Sequence, residues 1–417
     1  MKKLIKNANI ITMTNLGEIR NGYIGVIDDE IDFVEQEIPN SPPSEGWTRS
    51  GRGGLSYDDC EIIDAENSIV MPGFVNAHTH TPMTLFRGMA DDLNLQDWLF
   101  NHILPAEENL TPEDIYKGTK LALSEMLQSG TTCFCDMYFM CEEIIKATIE
   151  SGLRANIGTG LTYSVNDGIQ FETIKCINEY KNLKGTDKIK IVVSPHAIYS
   201  ATPEFLQFCT TLGTTFHTHV SETKQENEDC LKKFDKTPTE LLDSLGYMKK
   251  NQITNCAHCV YLTDNDIKIF AENNVSITHC PSSNLKLASG IAPIQKYIDS
   301  GINVALGTDG AASNNNLDMF NEIRLAALIH KGATCNPLAV SAQTALEMAT
   351  VNGAKALGRE HEIGKIEKGY KADLIFIETK SPNMTPLATT LASAVVYSAS
   401  SKNLIRTMVG GETLYQV

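Results

Sequence analysis

From Ile69 onward, short apolar runs alternate with longer stretches in which apolar residues recur every three or four positions. The runs are rich in Val, Ile and Thr, the pattern of repeated β-α units whose strands form a parallel sheet. Eight can be counted: "IVMPGFVNAHTH" from Ile69, "TTCFCDMYF" from Thr131, "RANIGTGLTY" from Arg154, "IKIVVSPHAIY" from Ile189, "TTFHTHVSE" from Thr214, "QITNCAHCVYL" from Gln252, "VSITHCPSSN" from Val275 and "NVALGTDGAAS" from Asn303. Helical patterns lie between them, such as "TDNDIKIFAENN" and "PEDIYKGTKLALSEMLQSG", the latter opened by Thr111 as a cap with Pro112 in the first turn and closed by Gly130. Eight such units predict an α/β fold, a (β/α)8 TIM barrel over residues 67–359. Residues 1–66 and 360–417 carry β-type runs instead, "LIKNANIITMT" and "KADLIFIE" among them, and are too short to fold well alone. They are expected to pair as one small β-sandwich domain formed from both chain termini. Residues 39–59, rich in Pro, Gly and Ser, read as a loop.

In a parallel barrel the reactive groups lie where strands end, at the C-terminal rim. Those ends carry His78 and His80, then His196, His219 with Glu222, His258, His279 and Asp309, so six of the ten histidines fall into one predicted ring. On an extended strand, residues i and i+2 share a face, which aims His78 and His80 at one point. Two imidazoles from one strand, a third from another and a carboxylate suit zinc or a similar divalent cation with one position open for water. Such a cation can lower the pKa of a bound water to about 7, making it a nucleophile at neutral pH. Glu222, three residues after His219, is within reach of that water as a proton carrier.

Other candidates have plainer readings. His217 shares a face with His219 but lacks its spacing to a glutamate, and reads as barrel filling. His279 fits either a supporting role beside the site or a structural one. His102, His330 and His361 lie outside the ring and read as packing or surface residues, and Asp91, Asp92 and Asp136 as solvated or capping residues. Cys256 and Cys259 form a lone C-x-x-C within an apolar run, better explained by packing than by metal or redox chemistry.

Composition narrows the partners. With 417 residues, 42% of them hydrophobic, the chain can bury a large core. A net charge of −16 and a pI near 5.1 oppose binding to a nucleic-acid backbone or an anionic membrane, leaving a small-molecule substrate. No stretch approaches a membrane span and no signal-peptide pattern is present. Eleven cysteines without an even, dense framework are expected to be reduced, and the protein to be cytoplasmic.

Taken together, "PGFVNAHTHTPMTLFRG", "HVSET", "AHCVYL", "HCPSSNLKLASGIAPI" and "GTDGAASNNNLDMFNEIRLA" resemble the amidohydrolase superfamily, in its branch of 5'-methylthioadenosine/S-adenosylhomocysteine deaminases and chlorohydrolase-like relatives. The resemblance spans essentially the whole chain. It implies a homo-oligomer and one divalent metal per subunit, zinc foremost with iron(II) or manganese(II) also accepted, held by His78, His80, His219 and Asp309. It further implies Glu222 as proton shuttle, His258 as the histidine that orients the nucleophile, and Trp98, Glu107 and His196 as contacts to an aminopurine nucleoside. Dinuclear relatives carry a lysine on the fourth strand, where this chain has "VVSPHAIYS"; that favours one metal and disfavours a cyclic-amide hydrolase. Relatives that grip the carboxylate of S-adenosylhomocysteine place arginines around the end of the third strand. Here Thr159 stands in "GTGLTYSVNDGIQF", which turns the expectation toward 5'-methylthioadenosine or adenosine. The expected reaction is hydrolytic deamination at C6 of an adenosine-type nucleoside. A guanine, cytosine or triazine deaminase, or a chlorohydrolase, would use the same centre, and an inactive barrel kept as an interaction scaffold is the alternative outside catalysis.

Overall fold

A computed structural model describes residues 1–36, 60–161 and 187–417, together with the backbone of two short segments, Thr48–Arg49 and Leu55–Ser56. Along the chain, β1 (Lys2–Ile11), β2 (Glu18–Ile27) and β3 (Glu30–Glu35) form an antiparallel meander, followed by the two-residue pair β4 (Thr48–Arg49) and β5 (Leu55–Ser56). The rest of the predicted loop over 39–59 lies outside the described residues. Next come β6 (Cys60–Asp64) and β7 (Ile69–Pro72), which pair in parallel with successive parts of β1, Lys2–Lys6 and Asn9–Ile10. Between those two registers β1 turns at Asn7, whose φ of +55° is tolerated by Asn better than by most residues.

Eight parallel strands then form the barrel: β8 (Phe74–Thr79), β9 (Thr131–Tyr138), β10 (Arg154–Leu161), β11 (Ile189–Pro195), β12 (Thr215–Val220), β13 (Ile253–His258), β14 (Ser276–His279) and β15 (Asn303–Leu306), hydrogen-bonded in chain order. Between β15 and β8 the ring is closed partly by a side chain. The Asn76 amide donates to Thr308 Oγ1 at 2.7 Å and accepts from the Thr308 N–H at 3.0 Å, while the Asp309 N–H bonds the His78 carbonyl at 3.0 Å. The first predicted run is thus two strands, not one. It divides at Gly73, where a Cβ would sit 2.1 Å from the Thr132 side chain, and β7 leaves the barrel for the terminal sheet.

The chain returns to that sheet through β16 (Leu374–Ile377), β17 (Leu404–Val409) and β18 (Glu412–Gln416), giving the order β18-β17-β16-β7-β1-β2-β3 with β6 attached to β1. Its core gathers Ile5, Ile10, Ile24, Val26, Ile63, Val70, Leu374 and Phe376, drawn from both ends of the sequence as their separate shortness requires. A buried ion pair joins this sheet to the barrel. Arg154 at the start of β10 donates to both Asp373 carboxylate oxygens at 2.7 and 3.2 Å, and Asp373 also accepts from the Gly410 N–H at 2.7 Å.

The helix Pro112–Gln128 starts as expected, with a reciprocal capping box between Thr111 and Asp114. Among the described residues no helix is long and apolar enough to cross a membrane.

Candidate active site

The ends of the barrel strands bring the predicted residues together. His78 on β8 and His80, the first residue past its end, both place Nε2 near Asp309 Oδ1, at 3.3 and 3.2 Å, and Nε2 of His258 lies 3.8 Å from Glu222 Oε2. Ligand atoms of His78, His80 and His219 fall within 4.8 Å of one another, as do those of His78, His258 and Asp309. Three residues at or just past strand ends that carry this geometry, Ser221, His258 and Asp309, hold φ of +50°, +70° and +59°. Each such conformation costs about 1–3 kcal/mol and persists only where its surroundings enforce it, which is common at functional sites.

Hydrogen bonding assigns the tautomers. A carbonyl can only accept, so His80 Nδ1–H donates to Met137 O at 2.5 Å and His219 Nδ1–H to His196 O at 2.7 Å. The Asn284 side-chain oxygen takes the His258 Nδ1–H at 2.8 Å, and Ser200 Oγ, whose own proton goes to the Ala197 carbonyl, takes that of His196 at 3.0 Å. His78 uses a relay. His217 Nδ1–H donates to Asn255 O at 3.0 Å, which leaves its Nε2 as an acceptor for His78 Nδ1–H at 2.7 Å. His78 Nε2 is thereby left with a lone pair, fully buried and without a hydrogen-bonding partner. His217 fills the barrel as expected but also fixes its neighbour, a role its spacing does not reveal.

The electrostatics fit a cation. Burial pushes the pKa values of His78 and His219 well below the ordinary range and that of His196 to about 4, so these rings are neutral donors. Burial opposes charge on His80 as well, but the Asp309 carboxylate outweighs it and lifts that pKa to about 9. Protons and a divalent cation therefore compete for His80 Nε2. Although burial alone would raise Asp309, His78 and His80 hold it well below its ordinary range. Its Oδ2 accepts from Ser283 and Ser313 at 2.6 and 2.8 Å, leaving Oδ1 toward the histidines. Burial raises Glu222 above the ordinary carboxylate value, against the pull of His258, which suits a group that must both take and give a proton.

A cavity of about 630 Å³ opens over this centre, and His80, His219, Glu222, His258 and Asp309 share its lining with Trp98, Glu107, Tyr138, His196 and Tyr199. Trp98 stands in the helical segment Leu95–Glu107, and its indole N–H finds no acceptor among the described residues. Glu107 accepts from the Tyr138 hydroxyl at 2.6 Å. Thr159 reaches the cavity wall and bonds Cys141 Sγ at 2.9 Å.

Some residues lie elsewhere than the sequence indicates. His279 ends β14 but does not line the cavity; its Nε2 meets Nε2 of His330 at 3.1 Å, and His330 is itself buried. Asp136 is not solvated: it is fully buried, and it caps the turn after β8 by accepting from the Thr81 N–H at 2.8 Å and the Thr81 hydroxyl at 2.9 Å. Asp91 is partly exposed beside Lys286 at 2.7 Å. Cys256 and Cys259 are both buried, in keeping with packing.

A parallel barrel with histidines, an aspartate and a buried glutamate converging at its C-terminal rim defines a TIM-barrel hydrolase. The chain belongs to the amidohydrolase family, whose profile matches residues 69–414. It is 43% identical over 423 residues to a 5-methylthioadenosine/S-adenosylhomocysteine deaminase of Acetivibrio thermocellus, covering 100% of this chain and 94% of that protein. It is 42% identical over 421 residues to a 5'-deoxyadenosine deaminase of Methanosarcina mazei, covering 99% of this chain and 92% of that one. Among solved structures, an adenosine deaminase from Xanthomonas campestris with bound zinc superposes with a TM-score of 0.88 at 32% identity, covering 98% of this chain and 92% of that one.

Proposed function

We propose that the protein hydrolytically deaminates an adenosine-type nucleoside at C6, using one divalent cation held by His78, His80, His219 and Asp309. The observation that carries this is the set of imidazole Nε2 atoms turned inward on Asp309, with the lone pair of the buried, partnerless His78 Nε2 among them. A nitrogen-rich donor set of this kind fits zinc, in keeping with the zinc-bound relative; iron(II) or manganese(II) would fit the same atoms. When bound, the cation supplies the Lewis acidity that makes water nucleophilic at neutral pH.

The chain's own residues supply the rest. Glu222 takes a proton from the attacking water and delivers it to ring nitrogen N1, which makes C6 electrophilic. His258, its Nδ1–H fixed on Asn284, and Asp309, fixed by two serines, keep the nucleophile in line with C6. Glu222 then carries the proton of the new C6 hydroxyl to the exocyclic nitrogen, so that the C6–N bond breaks as C6=O forms and ammonia leaves. Glu107 accepts hydrogen bonds from the ribose hydroxyls, His196 and Trp98 hold the nucleoside, and the apolar Leu95–Leu104 wall limits water. We take the working enzyme to be a homo-oligomer, as the resemblance implies, and a cytoplasmic one, in keeping with its eleven cysteines without a dense, even framework.

The 5' substituent is neutral in this reading. Among the described residues, the cavity lining includes Glu107, Glu108 and Glu142 but no lysine or arginine, and Thr159 offers no charge to a substrate carboxylate. 5'-Methylthioadenosine, 5'-deoxyadenosine and adenosine are therefore favoured over S-adenosylhomocysteine. An ammonia-release screen of these four compounds with guanine and cytosine tests both statements. Release from guanine or cytosine alone would contradict the nucleoside assignment, and equal kcat/KM for S-adenosylhomocysteine and 5'-methylthioadenosine would contradict the charge argument.

A further inference from the structure

The turn that carries Glu222 is held by a second buried carboxylate. Helix Lys224–Phe234 starts with Thr223 as N-cap, whose hydroxyl accepts from the Glu226 N–H at 3.2 Å. Glu226 occupies the position from which a capping-box glutamate normally reaches back to the N-cap N–H. Here it reaches further: Oε1 accepts from the Ser221 N–H at 3.1 Å and Oε2 from the Glu222 N–H at 2.8 Å. The same turn is tied on its other side, because the Ser221 carbonyl accepts from the N–H groups of Val260 and Tyr261, two and three residues past His258. Glu222 and His258 thus project from one knot of backbone bonds, closed on the Glu222 side by Glu226.

Two facts make simple helix capping an inadequate account. Thr223 already performs the cap, and Glu226 is buried with its carboxylate turned to the Ser221 and Glu222 N–H groups, an expensive placement for a carboxylate. What its two bonds do hold is Ser221 at φ +50°, the conformation that turns the chain from β12 toward the cavity. We propose that Glu226 is a positioning residue for deamination, clamping the Ser221–Glu222 backbone so that the Glu222 carboxylate stays beside His258 and over the cavity. The proposal rests on Glu222 as proton carrier.

The test compares kcat, KM, metal content and thermal midpoint for Glu226→Gln and Glu226→Asp. A glutamine offers one acceptor and turns an NH2 toward the other N–H, and a side cavity of about 290 Å³ beside Glu226 leaves room for it. Glu226→Gln should lower kcat about 10- to 100-fold, the scale of a small misplacement of a reacting group, with KM within about twofold and full metal content. Glu226→Asp, too short to reach both N–H groups, should show a smaller loss of the same kind. Thr237→Ala, which removes the cap of the following helix Pro238–Leu245 but leaves both Glu226 bonds to the Ser221–Glu222 backbone in place, should lower the thermal midpoint and leave kcat alone. A wild-type kcat in Glu226→Gln, or a loss no larger than that of an equally destabilised Thr237→Ala, would overturn the clamp. Glu222→Gln, assayed alongside, separates the two claims: if it turns over normally, the proton-carrier reading falls and the clamp with it, whereas an inactive Glu222→Gln beside a normal Glu226→Gln overturns the clamp only.

Discussion

Replacing His217 by leucine should weaken cation binding although His217 touches no cation. With the His217 ring gone, His78 Nδ1–H has no acceptor, and at full burial no water replaces it. In the cation-free variant His78 escapes by moving its proton to Nε2, which can then donate to Asp309 Oδ1 at 3.3 Å. Binding must reverse this, restoring the lone pair and leaving a buried N–H unsatisfied at about 1–3 kcal/mol. At about 1.4 kcal/mol per tenfold, affinity should fall about 5- to 140-fold, which brackets the roughly 10- to 100-fold usual when a supporting partner of a metal ligand is lost. His217→Gln, which keeps an oxygen acceptor, should recover most of it. Competition against a chromophoric chelator measures both constants. Wild-type affinity in His217→Leu, or a glutamine variant as weak as the leucine one, would refute the relay.

Glu222→Gln should retain the cation and lose turnover by about 100- to 10,000-fold, the usual worth of a positioned proton carrier; elemental analysis and ammonia release check both parts, and near-normal turnover would contradict them. Arg154→Leu strands Asp373 between barrel and terminal sheet, and urea unfolding should show a loss of about 3–5 kcal/mol; a change under 1 kcal/mol would contradict a structural role for that pair. Glu322, which accepts from the Ser282 N–H and the Asn314 amide, is pushed by burial from its ordinary 4.5 up to about 7. A carboxyl raised on folding contributes stability that is full below pH 4.5 and lost as pH rises through about 7. Wild type should therefore lose stability relative to Glu322→Gln across that window, and a difference independent of pH would contradict the raised value.

The strand pattern made most of the barrel legible because buried parallel strands are continuous apolar runs, and the rim histidines stood out because polar residues rarely end so many of them. Depth within the barrel was not legible. His217 and His219 share a face by spacing, and only the assembled layers separate the one beside the cavity from the one beneath it. Pairing partners were equally hidden: Ile69–Pro72 reads as barrel strand by composition, yet it pairs with β1 and β16, elements far away in sequence. His330 carries an ordinary helical context, and its bond to His279 depends on helix packing outside the barrel. Asp136 reads as solvated or capping, and it caps; its full burial and its partner, Thr81 from the neighbouring strand's end, appear only once the strands are assembled.

The most direct test of the account is ammonia release from 5'-deoxyadenosine or adenosine before and after exhaustive chelation, with the metal counted in the same samples. The account predicts one divalent cation per chain, an inosine-type product, activity lost with the cation and restored on its return. Turnover persisting in cation-free protein would contradict it.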